Sequence, residues 1–131
     1  MPQHEISPLV LTFLSDHVSN LLQFQVLMLV AETEDRWWDA SGAARELGVT
    51  PAAARSALDH LAKHNLLDIR ITDDVKYQLR PGTAALLTAV MACVEEFRRA
   101  PLQMVGVVTG QGPKSIRDFA DAFRIRRDDD R

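Results

Sequence analysis

His60 and His64 stand four residues apart, a spacing that puts two imidazoles on one face of a helix and can hold a metal ion. A metal centre needs more ligands than two. No Cys, Asp or Glu lies at a distance that completes the set, so both rings are expected to flank a helix and meet solvent or phosphate. Cys93 sits among Val90, Val94 and Phe97. That company predicts a buried, apolar role for the thiol, with a redox switch as the alternative. The sequence has no Gly-rich phosphate loop, no Ser or Cys within an activating motif and no paired carboxylates around a cleft. Neither catalysis nor a cofactor is expected. What remains is a set of cations: Arg45, Arg55, Lys63, Arg70, Lys76 and Arg80 fall between residues 39 and 80, matched there by Asp39, Glu46, Asp59, Asp68, Asp73 and Asp74.

The elements that hold these side chains must come from a chain of 131 residues, which suits a single core. Its apolar content of 47% and charged content of 25% are ordinary for a globular domain. The longest apolar runs fall far short of the ~20 residues that cross a bilayer. The N-terminus has no basic stretch ahead of an apolar segment, and one cysteine excludes an internal disulfide, so a cytoplasmic protein is expected. The net charge of −3 speaks against a sequence-blind nucleic-acid binder. Charge is unevenly spread. Acids dominate residues 1–38, and Lys114, Arg117, Arg124, Arg126 and Arg127 make the later segment basic.

Ser7-Pro8 reads as a helix start, with Leu9, Phe13 and Leu14 facing inward. Asn20 with Gln23 resembles a capping box ahead of a helix apolar on most sides, which should therefore be central. Trp37-Trp38 suggests a short strand with one indole in the core and the other at an edge. Asp39 can cap a helix over 40–47, with Gly48 at its left-handed end. Thr50-Pro51 starts another, with Ala54, Ala57, Leu58 and Leu61 inward, ending near Asn65. Ile69 and Ile71, then Val75, Tyr77 and Leu79, alternate with polar residues as two strands about an Asp73-Asp74 turn. After Pro81-Gly82, the spacing predicts a helix from Thr83, kinked at Pro101 but running to about Val108 on a phase through Val90, Val94, Phe97, Pro101 and Val105. Ile116, Phe119 and Phe123 share one face of a last short helix.

The stretch DASGAARELGVTPAAARSALDHLAKHNLLDIR resembles the helix-turn-helix of winged-helix transcriptional regulators. Ala44 and Leu47 pack inward, Gly48 makes the turn, Thr50 caps, and Leu58, Leu61 and Leu66 precede the wing. The tail, KSIRDFADAFRIRRDD, is similar to the end of a family of uncharacterised small bacterial winged-helix proteins. The resemblance implies a mainly helical winged helix-turn-helix with a β-hairpin wing, an N-terminal helix and a long C-terminal helix. The domain would cover 1–110, and 111–131 would add a hinge, a short amphipathic helix and a charged tail.

In such regulators the second helix of the motif enters the major groove and the wing touches backbone. Carried onto this chain, the DNA-binding positions are Arg45, Thr50, Arg55, Ser56, His60, Lys63, Arg70 and Lys76. Double-stranded DNA is then the expected partner, with a second copy held through the C-terminal helix. Ile116, Phe119 and Phe123 are expected to fold back on the same domain or on a dimer partner, with a surface for another protein as the alternative. The alternative function is a protein-interaction module without direct DNA contact, which the even charge balance favours.

Overall fold

The computed structural model describes residues 6–109. Helix α1 (Pro8–His17) starts where Ser7, in extended conformation, accepts a hydrogen bond from the Val10 N–H, with Pro8 at the first position. Its buried face is Val10, Phe13 and Leu14. Leu9, expected inward, is 47% exposed. At roughly 100° per residue, Phe13, Val10 and Leu14 fall on one arc centred near Val10, and Leu9 lies beyond its edge.

Asn20 caps α2 (Leu21–Glu32), accepting from the Gln23 N–H at 2.9 Å. The return bond of the box is displaced by one residue: Gln23 Oε1 accepts from the N–H of Ser19. Phe24, Val26, Leu27, Met28, Val30 and Ala31 are all buried, and α2 is packed against α4 (Pro51–Lys63), α5 (Ala84–Arg99), α3 (Ala40–Leu47) and α6 (Pro101–Val108). It is the central helix that its apolar circumference required.

Asp39 caps α3 through the Gly42 N–H, and Gly48 ends it at φ 71°, a left-handed conformation that a side chain would strain. Thr50 caps α4 through the Ala53 N–H. Ala54, Ala57, Leu58 and Leu61 form its buried stripe. The helix stops at Lys63, slightly before the expected end, because His64 caps it and Asn65 takes φ 66°. The N–H groups of Asn65 and Leu66 close back on the carbonyls of Ala62 and Leu61, which satisfies the helix end.

Strands β1 (Leu67–Ile71) and β2 (Val75–Leu79) pair antiparallel, with Ile69 opposite Tyr77 and Arg70 opposite Lys76. Trp38 joins β2 by exchanging both backbone hydrogen bonds with Tyr77. Its indole is buried and donates to Thr33 Oγ1, while Trp37 is half-buried at the edge. The alternation of β1 places a core residue only at its root. Leu67 is buried, whereas Ile71 is 75% exposed. Ile69 and Ile71, expected inward, are both exposed, while Val75 opposite Ile71 packs partly on the core.

Thr83 caps α5, whose buried residues include Ala89, Val90, Cys93 and Val94. The expected kink at Pro101 is a complete break. Ala100 leaves helical geometry at φ −142° and ψ 66°, and α6 begins at the proline. The residue before a proline is pushed out of the helical region. The break also resets the phase: Met104 and Val107 are buried, and Pro101, expected on the inner stripe, is exposed. The segment 110–131, with Ile116, Phe119 and Phe123, lies outside the described residues.

Candidate functional site

The exposed edge of α4 begins at the Thr50 cap and runs through Ala52, Arg55 and Ser56 to Lys63. The buried stripe at Ala54, Ala57, Leu58 and Leu61 fixes which residues point outward. A shallow groove of about 520 Å³ gathers Arg55, Ser56, His60 and Lys63 from the expected set, together with Ala52, Asp59 and Gln23 of α2. Arg45 is exposed on α3, and Arg70 and Lys76 stand on the wing, so these three lie apart from that groove. Thr50 Oγ1 is engaged as the cap acceptor, at 3.1 Å from the Ala53 nitrogen.

A side-chain hydrogen bond joins the wing to α4. Tyr77, buried in β2, donates its hydroxyl to Asp59 Oδ1 at 2.5 Å. The other oxygen of Asp59 lies 3.8 Å from the Arg55 guanidinium. Burial pushes the Tyr77 phenol up to about 12, helped by the Asp59 carboxylate, so the hydroxyl keeps its proton and remains a donor at neutral pH. On the wing, Arg70 and Lys76 are direct cross-strand partners. Like charges in that position repel. Arg70 is held by stacking over the Trp37 ring at 4.4 Å, and Arg80 pairs with Asp68 at 3.4 Å. The space between α3, α4 and the wing tip is acidic: Asp39, Asp73 and Asp74 line it with Arg55 and Tyr77.

His60 departs from the expected exposed position. It is half-buried, and its Nε2 donates to the His17 carbonyl at 2.8 Å, one of the unpaired carbonyls at the end of α1. His64 turns toward His17, with 2.9 Å between the two Nδ1 atoms, and stacks on His60 with ring centroids 4.3 Å apart. Burial lowers the His64 pKa, and the neighbouring His60 and His17 lower it further. Three imidazoles thus join α1 to α4, although no group of His, Cys, Asp and Glu among the described residues has the geometry of a metal site. Cys93 is fully buried, and burial, then Glu96, pushes its thiol up to about 12. The inert, apolar environment matches the sequence expectation.

Sequence reasoning missed Tyr77 and Trp37 as parts of this site; Asp59 was expected on the exposed face of α4, but not as its link to the wing. A buried tyrosine at an inward strand position signals a hydroxyl that needs a partner, and that signal was legible for Tyr77. The His17 contact joins residues 47 apart in sequence, and only the fold brings them together.

No family model matches the chain, and no curated protein sequence matches it. Solved structures do resemble it. Reduced HlyU from Vibrio cholerae is 21% identical, with 72% of this chain and 90% of that one aligned at a TM-score of 0.52. Bordetella bronchiseptica BpsR, described for the regulation of its DNA binding by 6-hydroxynicotinic acid, is 18% identical, with 93% and 84% aligned at a TM-score of 0.51. Among the described residues no helix is long and apolar enough to cross a membrane. The element order, the capped turn between α3 and α4, the hairpin and these likenesses agree: the chain has the winged-helix fold.

Proposed function

We propose that this chain is a DNA-binding transcriptional regulator, with α4 entering the major groove and the wing meeting the sugar-phosphate backbone. The observation that carries the reading is the outward edge of α4. Ala52, Arg55 and Ser56 stand exposed within its first two turns, and the small Ala52 lets a helix approach base edges closely. Arg70 beside Lys76 adds support: a repulsive cation pair on the wing gains its compensation from an anionic partner. BpsR, which carries this fold, is a protein whose DNA binding is regulated.

The working form in this proposal is a homodimer. Leu87 on α5 and Leu102 on α6 are 43% and 86% exposed, and Leu9 is exposed on α1, which packs on α5. A two-fold dimer would present two α4 helices to half-sites about 34–36 Å apart.

One observation favours the second reading, a protein-interaction module. Asp39, Asp73 and Asp74 surround the inner side of Arg55, and acids there repel phosphate. Titration of the protein against mixed duplexes over a range of salt separates the two. About four neutralised phosphates cost roughly a hundredfold in affinity between ~50 and ~200 mM salt. Absence of any salt-dependent binding would favour the interaction module.

A further inference from the structure

An apolar groove of about 480 Å³ lies on the side of the molecule formed by α2, α3, α5 and α6. Its floor is Phe24, Met28, Leu29, Leu47, Phe97 and Val105, and Glu32 and Glu46 stand at its rim, both exposed. Phe97 meets Phe24 edge to face at 5.3 Å, which fixes the floor. The groove therefore asks for an occupant with large apolar side chains flanked by positive charge.

The sequence after Thr109 has that chemistry. Ile116, Phe119, Ala120 and Phe123 follow at steps of three, one and three, which places them on one side of a helical turn pattern. Arg117 and Arg124, seven residues apart, would both flank the same edge of that stripe. Reach is sufficient. Val105 already lines the groove, and residues 110–114 can span at most about 17 Å when extended. Gly110 and Gly112 in that connection permit a reversal of direction.

We propose that the segment 115–127 of the same chain docks in this groove, with Phe119 and Phe123 on the apolar floor and Arg117 and Arg124 facing Glu32 and Glu46. The docked segment ties α6 to α3 and so sets the seat of the helix-turn-helix unit on the C-terminal helices. It is an intramolecular contact, independent of what α4 binds.

The test uses the full chain. Arg117→Glu with Arg124→Glu should speed amide hydrogen exchange over 21–32 and 97–108 by about tenfold, as lost cover permits local opening. Adding Glu32→Arg and Glu46→Arg should restore the parent rates, a rescue that general destabilisation would not give. Unchanged exchange in the first variant, or no rescue in the second, overturns the proposal. A cross-link identifies the chain that supplies the segment. Gln25→Cys with Ala120→Cys, in a Cys93→Ala background under mild oxidant, should give a disulfide within one chain, seen at monomer mass on a denaturing gel. A band at twice that mass would assign the groove to the tail of a second copy and overturn the intramolecular docking, and so would the absence of any disulfide. If the triple variant fails to fold, the exchange measurements, which keep Cys93, decide alone.

Discussion

The Tyr77 hydroxyl donates to the Asp59 carboxylate across the gap between β2 and α4, at 2.5 Å. Asp59 is also the partner of Arg55. The wing, an acid and the foremost cation of α4 therefore form one chain of contacts, and the orientation of Arg55 depends on a residue in the hairpin.

Tyr77→Phe tests that dependence. The ring stays buried, and only the hydroxyl is lost. Stability should fall by about 1 kcal/mol, a usual value for one hydrogen bond when the acceptor left behind can still reach water. Urea unfolding of parent and variant measures it. A variant as stable as the parent would mean that the contact contributes nothing.

Leu58→Ala should cost ~2–5 kcal/mol, because the side chain is fully buried on the inner stripe of α4. Thermal melts check this. The outward edge of α4 is defined by the same register, so an unchanged melting curve would also displace Arg55 and Ser56 from the proposed interface.

The histidine contact between α1 and α4 should loosen in acid. Two Nδ1 atoms 2.9 Å apart share one proton, and protonating both rings sets two donors against each other. The pKa of His64 is lowered in the fold by burial and by His60 and His17. A depressed folded value means that its contribution to stability is complete above the ordinary value of 6.5 and is lost as pH falls through the lower folded value. His64→Gln should flatten the acid limb of a stability–pH curve below about pH 6.5. An acid limb identical in parent and variant would contradict the assignment.

Self-association is tested on the exposed leucines. Leu87→Ser with Leu102→Ser should shift sedimentation from dimer to monomer without lowering the melting temperature of the isolated fold, since both side chains already face outward. A parent that sediments only at 14.6 kDa at micromolar concentration would end the homodimer proposal.

Much of the fold was legible because local signals agreed. Ser7-Pro8, Asn20, Asp39, Thr50 and Thr83 each sit where a helix begins, and Gly48 where one ends. The break at Ala100 was less so. Apolar residues at steps of three and four continued across Pro101, and that continuity suggested a single kinked helix. Backbone sterics before a proline overrode the pattern, and the buried residues moved to Met104 and Val107.

The candidate site was legible as a helix edge but not as a network. The exposure of Arg55, Ser56 and Lys63 follows from the register of α4. The inward turn of His60 does not, because its partner is a carbonyl at the far end of α1. The Arg70–Trp37 stack and the Tyr77–Asp59 bond are likewise long-range pairs that no single segment encodes.

In the proposed function α4 reads DNA through Arg55. On binding, its guanidinium would exchange the exposed pairing with Asp59 for a guanine edge or a phosphate. The decisive measurement is a titration of parent and Arg55→Ala on a promoter-derived duplex and a scrambled one across a range of salt. A loss of ~1–3 kcal/mol confined to the specific duplex is expected if Arg55 contacts a base. A phosphate contact would instead weaken both duplexes evenly and make the salt slope shallower by about one unit. Equal affinities for parent and variant would remove Arg55 from the interface, and no binding by either at low salt would contradict DNA binding altogether.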